Sequence, residues 1–298
     1  MRFSVQPTMA LATPSYGPDY DRCKLLVNSV QALSQSPVRH YVIVDQREYR
    51  LFRSLASPTT EILTVESLLP PWIFRLPLVG KAWFSLKTPP IRNWVLQQLV
   101  KIALAKSIPE AATVFVDSDV AFIRPFDLTQ FVRQGKTRLF RVPAYENPDF
   151  DPLYRAAYQF LGLSGDGCGW PRPNYIGNLI TWRRDHTIAM CDRIEQVSGR
   201  PWLETLAGAK TLSEYILYGV FVDHLLKESS GHYYDWAPLC NEYWLPQPLD
   251  DRQLADFFAA TQPENIAIMI SAKAGIAPSR YAHHLDGLQP PAVALGCG

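Results

Sequence analysis

Along the first 130 positions, short unbroken apolar runs alternate with stretches of helical period. Val42-Ile-Val44, Val114-Phe-Val116 and Val120-Ala-Phe-Ile123 are runs of the kind that strands buried on both faces show. The pattern predicts strands over 3–12, 40–44, 61–65, 113–116 and 120–123. Between them, residues 19–33 carry Cys23, Leu26, Val27 and Val30 on one helical face, 46–55 reads as a helix, and 93–106 repeats Leu96, Leu99, Val100 and Ala103. Strand and helix in alternation predict an α/β chain with a mostly parallel central sheet and helices on both faces. Ligands of such sheets bind beyond the carboxyl ends of the strands. The loop Thr13-Pro-Ser-Tyr-Gly-Pro18, Asp45 and Asp117-Ser-Asp119 all fall at such ends.

The second half is less regular. Residues 162–178 are rich in Gly and Pro, and Pro173-Asn-Tyr-Ile-Gly-Asn178 leads into a strand over 179–182. Helices are expected over 187–197 and 213–222, the latter with Ser213 as N-cap, and a late strand over 265–271. No repeat and no linker divides the chain, so one domain is expected over 1–289, split into halves at about residue 128, with 290–298 a frayed tail.

Composition narrows the function. With 47% apolar residues in 298, the chain supports a sizeable core. Twenty-nine basic against 28 acidic residues leave a net charge of +1, which offers no electrostatic case for nucleic acid. Cys23, Cys168, Cys191, Cys240 and Cys297 are odd in number and scattered, which argues against a disulfide framework and against structural zinc and fits a reducing compartment. The first residues hold no apolar run of signal-peptide length, and no 18-residue apolar span occurs, so a cytoplasmic protein is expected. Residues 68–90 set Trp72, Phe74, Trp83 and Phe84 among Arg75, Lys81 and Lys87. They read either as a loop packed on the cleft or as a peripheral contact with the inner face of a membrane, and their five prolines exclude a long amphipathic helix.

The sharpest candidate chemistry is the pair Asp117 and Asp119. Flanking one residue in extended backbone, the two carboxylates point the same way and repel. A divalent cation between them relieves this, and hard oxygen donors suit Mg²⁺ or Mn²⁺. A solvated turn at a strand end is the plainer alternative.

Taken together, Thr13-Pro-Ser-Tyr16, the helix with Trp94-Val-Leu-Gln-Gln-Leu-Val-Lys101, Val114-Phe-Val-Asp-Ser-Asp-Val120, Tyr175-Ile-Gly-Asn178, Ser213-Glu-Tyr-Ile-Leu-Tyr-Gly219 and Ile270-Ser-Ala-Lys273 resemble one branch of the GT-A glycosyltransferases. That branch is an uncharacterised family of bacterial glycosyltransferase-like proteins, distantly similar to glycogenin-like enzymes. The resemblance implies a GT-A fold with a nucleotide-binding half over 1–128 and an acceptor-side half over 129–289. It implies a nucleotide-sugar donor, by family habit a UDP-sugar, and a saccharide or lipid-linked saccharide acceptor. Asp117 and Asp119 would hold a Mn²⁺ or Mg²⁺ on the diphosphate, offsetting the charge of the leaving group. Thr13, Pro14, Tyr16, Asp45, Lys101 and Ser118 would contact the nucleotide, and Ser271 and Lys273 the phosphates. Tyr175 and Asn178 would hold donor or acceptor sugar. Glu214 would be the acceptor-side base.

Each of these has a plainer reading. Asp45 closes a loop, Lys101 is a solvated lysine, Glu214 sits in a first helical turn where the dipole favours acids, and Asn178 caps a turn. The chain departs from the glycogenin-like pattern at Ser271-Ala-Lys273, which lacks the late histidine that those enzymes use as a third metal ligand. His283 and His284 are the nearest substitutes. Two rivals remain: a haloacid-dehalogenase-type phosphatase, which also uses strand-Asp-X-Asp and needs a later Asp-Asp pair at a strand end, and a GT-A scaffold that binds without turnover.

Overall fold

The computed structural model describes residues 8–76, 82–165, 169 and 171–286. Its centre is a five-stranded sheet. Strands β1 (Met9–Pro14), β2 (Arg39–Val44), β3 (Thr60–Thr64) and β4 (Ala112–Phe115) run parallel in the order β4-β1-β2-β3. The apolar runs are continuous because both faces of these strands are covered. Tyr41 and Ile43 pack toward helix α2 (Asn93–Ser107), while Val42 and Val44 pack toward Cys23 and Val27 of helix α1 (Tyr20–Leu33). The mixed α/β architecture with a parallel-dominated sheet and helices on both faces is therefore as expected.

The chain order reverses at β1: β2 and β3 lie on one side, β4 on the other. At such a switch point the loops leaving the two central strands diverge and open a crevice. The loops after β1 and β4 carry Tyr16 and Asp117 to Asp119.

After β4 the chain forms β5 (Val120–Phe122), then β6 (Lys136–Phe140) and helix α3 (Asp151–Leu161). Strand β7 (Ile180–Arg183) returns antiparallel to β4 as the fifth strand, and α4 (Arg184–Ser198) follows. Helix α5 (Glu214–Phe221) is buried throughout and starts at Ser213, whose hydroxyl accepts from the Ile216 amide at 3.4 Å. Strand β8 (His232–Asp235) pairs with β6. A smaller sheet joins β9 (Cys240–Tyr243), β10 (Ala267–Ile270) and β5 in the order β9-β10-β5. Helix α6 (Asp251–Ala259) packs Leu254 and Phe258 on it.

Several expected elements differ. Residues 46–55 hold one short α-turn, Tyr49–Phe52, followed by a 3₁₀ turn, because Asp45 and Glu48 turn the chain before a helix can propagate. The first strand starts at Met9, and its expected earlier residues 3–7 lie outside the described residues, as does the tail 290–298. In the Pro-rich segment Ile73–Phe74 pairs antiparallel with Phe84–Ser85, while Pro77 and Lys81 lie outside the described residues. Trp83 is buried beneath the Arg75 guanidinium, 4.8 Å from the ring centre, and the Lys87 ammonium lies 5.2 Å over Trp72, so much of its aromatic surface is already packed. Cys23, Cys191 and Cys240 are buried free thiols, whereas Cys168 and Cys297 lie outside the described residues. Among the described residues no helix is long and apolar enough to cross a membrane.

Candidate functional site

Asp117 and Asp119 follow β4 at the switch point. The turn between them is closed by the Val120 amide donating to the Asp117 carbonyl at 3.1 Å, and Ser118 is buried in it. Asp119 Oδ2 accepts from the Ala272 backbone amide at 2.9 Å. Burial first, and then the neighbouring Asp117 charge, push the Asp119 carboxyl up to about 6, with the Ala272 amide pulling the other way.

Four groups surround the pair. On one side α2 places Lys101, whose ammonium reaches Tyr215 Oη at 2.7 Å, Glu214 Oε1 at 3.0 Å and Asp117 Oδ1 at 3.5 Å. Lys101 and Glu214 are buried, while Asp117 keeps 39% of its side chain exposed. Burial disfavours the lysine's charge, but Tyr215 and the Asp117 and Glu214 carboxylates outweigh it and hold Lys101 well above the usual lysine range. Gln98 supports this cluster, accepting from the Glu214 amide at 2.9 Å. Glu214 is thus neither a simple first-turn acid nor an open carboxylate; it is the buried partner of Lys101. Lys101, in turn, is no solvated lysine.

A second side comes from the loop after β1. Tyr16 is 45% exposed, and its hydroxyl is pushed up by burial and by the nearby carboxylates of Asp19, Glu48 and Asp119. Asp19 is buried against Arg22 at 3.1 Å. Pro14 ends β1 half-buried. Thr13 is turned into the sheet, where its hydroxyl meets His40 Nε2 at 2.9 Å. Asp45, at the end of β2, is held by Arg47 and Arg75, with Nη2 of Arg47 at 3.2 Å and Nε of Arg75 at 3.1 Å from Oδ2. It serves its loop in this geometry.

The third side is the turn after β10. The Ser271 hydroxyl accepts from the Lys273 amide at 3.3 Å, and Lys273 is exposed with no ion pair among the described residues. His284 stacks on Phe258, and the His283 ring packs tilted against the His284 ring.

The fourth side joins Asn178, a candidate from the sequence, to Glu242 and Trp244, which no sequence motif marks. Asn178 lies two residues before Ile180, and Asp117 two residues after its register partner Phe115, so the two sit at one sheet edge. The Asn178 Nδ2 donates to Glu242 Oε1 at 2.9 Å, and the Trp244 Nε1 donates to Glu242 Oε2 at 2.7 Å. Glu242 faces Met269, which faces Val120, so it stands two strands from the residue after Asp119. The Cys240 thiol, two residues before Glu242 on β9, is driven well above its usual range by burial and by Glu242, Asp119 and Asp117. Tyr175, by contrast, is buried under Gly219 with its hydroxyl donating to Asp223 Oδ2 at 2.6 Å, and it makes no contact with the carboxylate pair.

For a divalent cation, the chain offers two hard oxygen donors with an excess of negative charge and one carboxylate out of water. No group of three or more His, Cys, Asp or Glu suited to a metal occurs among the described residues. Two carboxylates fit a Mg²⁺-like ion that completes its shell with phosphate oxygens and water.

No curated protein matches the chain. Among solved structures, mouse xyloside xylosyltransferase 1 in its apo form is similar at 10% identity with a TM-score of 0.45, over 90% of this chain and 99% of that chain. A family model matches residues 7–290, nearly the whole length, and the chain accordingly belongs to that family, a family of unknown function (DUF6492).

Proposed function

We propose that the chain is a metal-dependent glycosyltransferase that takes its sugar from a nucleotide diphosphate. The observation that carries this reading is the position of Asp117 and Asp119: two mutually repelling carboxylates at the carboxyl end of a central strand, at the switch point of a parallel sheet. A diphosphate and its cation are the kind of ligand that turns this repulsion into binding.

Asp117 and Asp119 would hold the cation, which when bound would neutralise charge on a departing diphosphate. Lys101 is fixed beside Asp117 and is proposed to face the same phosphates. Glu214, which the sequence marks as an acceptor-side base, is assigned instead to keep Lys101 charged and aimed, since it is buried and paired. Exposed Lys273 and the Ser271 turn are proposed as phosphate contacts, and Tyr16, with the loop at Pro14, as the wall of the base pocket. UDP as the nucleotide, and a saccharide or lipid-linked saccharide as acceptor, follow the sequence resemblance. The phosphatase reading is disfavoured by Asp250 and Asp251. Asp250 caps a helix, accepting from the Gln253 amide at 2.8 Å, and neither residue ends a strand.

The test is a thermal-shift panel of UDP, GDP, CMP and ADP, each with and without Mn²⁺. Binding to the native state raises the melting temperature by mass action. A Mn²⁺-dependent rise with one nucleoside diphosphate, absent in Asp119→Ala, is expected. No rise with any of them would overturn the reading.

A further inference from the structure

Resting on the transferase reading, we propose that Trp244, Glu242 and Asn178 form a shelf on which a pyranose ring of the acceptor sits. The three side chains form one chain of hydrogen bonds. Trp244 is 51% exposed, yet its only polar atom, Nε1, is committed to Glu242 Oε2 at 2.7 Å. What the indole presents outward is therefore its apolar face, held at a fixed angle by a charge-assisted bond.

The other Glu242 oxygen accepts from Nδ2 of Asn178 at 2.9 Å and lies 3.3 Å from its backbone nitrogen. A carboxylate accepts only, so this contact fixes the amide with its nitrogen toward Glu242. Asn178 Oδ1 is then left pointing elsewhere. It is buried without a hydrogen-bond partner among the described residues, on a side chain whose residue is 7% exposed. The atom is closed off from solvent as the side chain stands, and a sugar hydroxyl that opens this edge would supply the donor it lacks.

A pyranose has the matching surface. Its C–H face is apolar and suits an indole, and the hydroxyls around its rim donate to carboxylate and amide oxygens. Sites for small polar ligands combine an apolar wall with a few oriented polar atoms in this way. Donor and acceptor both carry such a ring, and position favours the acceptor. In the proposed function the carboxylate pair and Lys101 take the diphosphate, while Trp244 and the 58%-exposed Leu245 lie past the end of β9 and face solvent, toward which a longer glycan would continue.

The test uses the full chain with ¹⁵N-labelled tryptophan. The indole signal of Trp244 is identified by its loss in Trp244→Phe. Methyl glycosides of glucose, galactose, xylose and mannose are titrated alone, and then with UDP and Mn²⁺. The expected result is saturable movement of the Trp244 signal with at least one glycoside and its loss in Glu242→Gln. The UDP–Mn²⁺ melting shift should persist in Trp244→Ala, an exposed position whose replacement leaves the fold in place. Two results overturn the proposal: no glycoside moves Trp244, or a UDP-sugar with Mn²⁺ moves it alone and blocks the glycoside, which would make the shelf a donor seat. If no nucleotide shifts the wild type but a glycoside still moves Trp244, the transferase reading falls and the pyranose shelf stands.

Discussion

Lys101 and Glu214, 113 positions apart, meet at 3.0 Å with both side chains out of water. Lys101 also touches the half-open Asp117, so one ammonium couples a buried carboxylate to a partly exposed one.

Removing that ammonium strands a buried charge. Lys101→Met should destabilise the fold by about 3–5 kcal/mol, because Glu214 loses its compensation, and the double variant Lys101→Met/Glu214→Leu should recover most of the loss. Urea denaturation measures both. Equal stability of the single and double variants would refute the coupling.

The carboxylate pair predicts the opposite sign. Replacing Asp119 with Asn removes a like charge beside Asp117 while keeping an oxygen near the Ala272 amide. In metal-free buffer the variant should be more stable by about 1 kcal/mol, and it should lose any stabilisation by Mn²⁺ with nucleoside diphosphate. A variant less stable than wild type in chelator would show that the pair is not strained.

Buried histidine supplies an acid sensitivity. His40 is fully buried, with Nε2 at Thr13 and Nδ1 unpaired, and burial lowers it to about 4. Its unfolded form takes up a proton near pH 6.5, so between about pH 6.5 and 4 the unfolded state binds more protons and stability falls as pH falls. Asp119, raised in the fold, acts in the opposite direction over part of this window. The comparison is therefore with His40→Gln, whose stability should fall less steeply, by up to about 1.4 kcal/mol per pH unit. Parallel pH profiles for the two proteins would count against it.

Gly219 is a packing requirement. A Cβ there would lie 2.3 Å from the Tyr175 ring, inside the core on α5. Gly219→Ala should cost about 3 kcal/mol or prevent folding, and Tyr175→Leu in the same chain should relieve it. Thermal melts of the two variants decide this, and an unperturbed Gly219→Ala alone would contradict the close packing.

Much of this architecture could be read from the chain. The runs at 42–44 and 114–116 declare strands covered on both faces, and α2 announces itself by its apolar stripe. Asp117 and Asp119 were legible because their signal is local: a strand, two acids and one spacer. The surroundings were not. Lys101 reads either as a nucleotide contact or as a solvated lysine, and its pairing with Glu214 appears only once α5 is packed against it, while Glu242 lies in Cys240-Asn-Glu-Tyr243, which has no strong strand pattern. It reaches Asn178 only across 64 positions. Helix α3 was missed because Pro152 sits in its first turn, where proline is tolerated yet reads as a breaker. The resemblance puts Thr13 at the nucleotide, but pleat parity turns its side chain to His40.

The hydrogen bond from the Ala272 amide to Asp119 spans 153 residues. On a ribosome adding about 5–20 residues per second, Asp119 emerges on the order of ten seconds before the amide that orients it. Throughout that interval the nascent chain carries the acidic pair without β10 or the turn that follows it. Synthesis that stops before residue 267 would release a chain carrying both acids but lacking β10 and the Ala272 amide, so the orientation of Asp119 is a late event that waits on a segment 153 residues downstream.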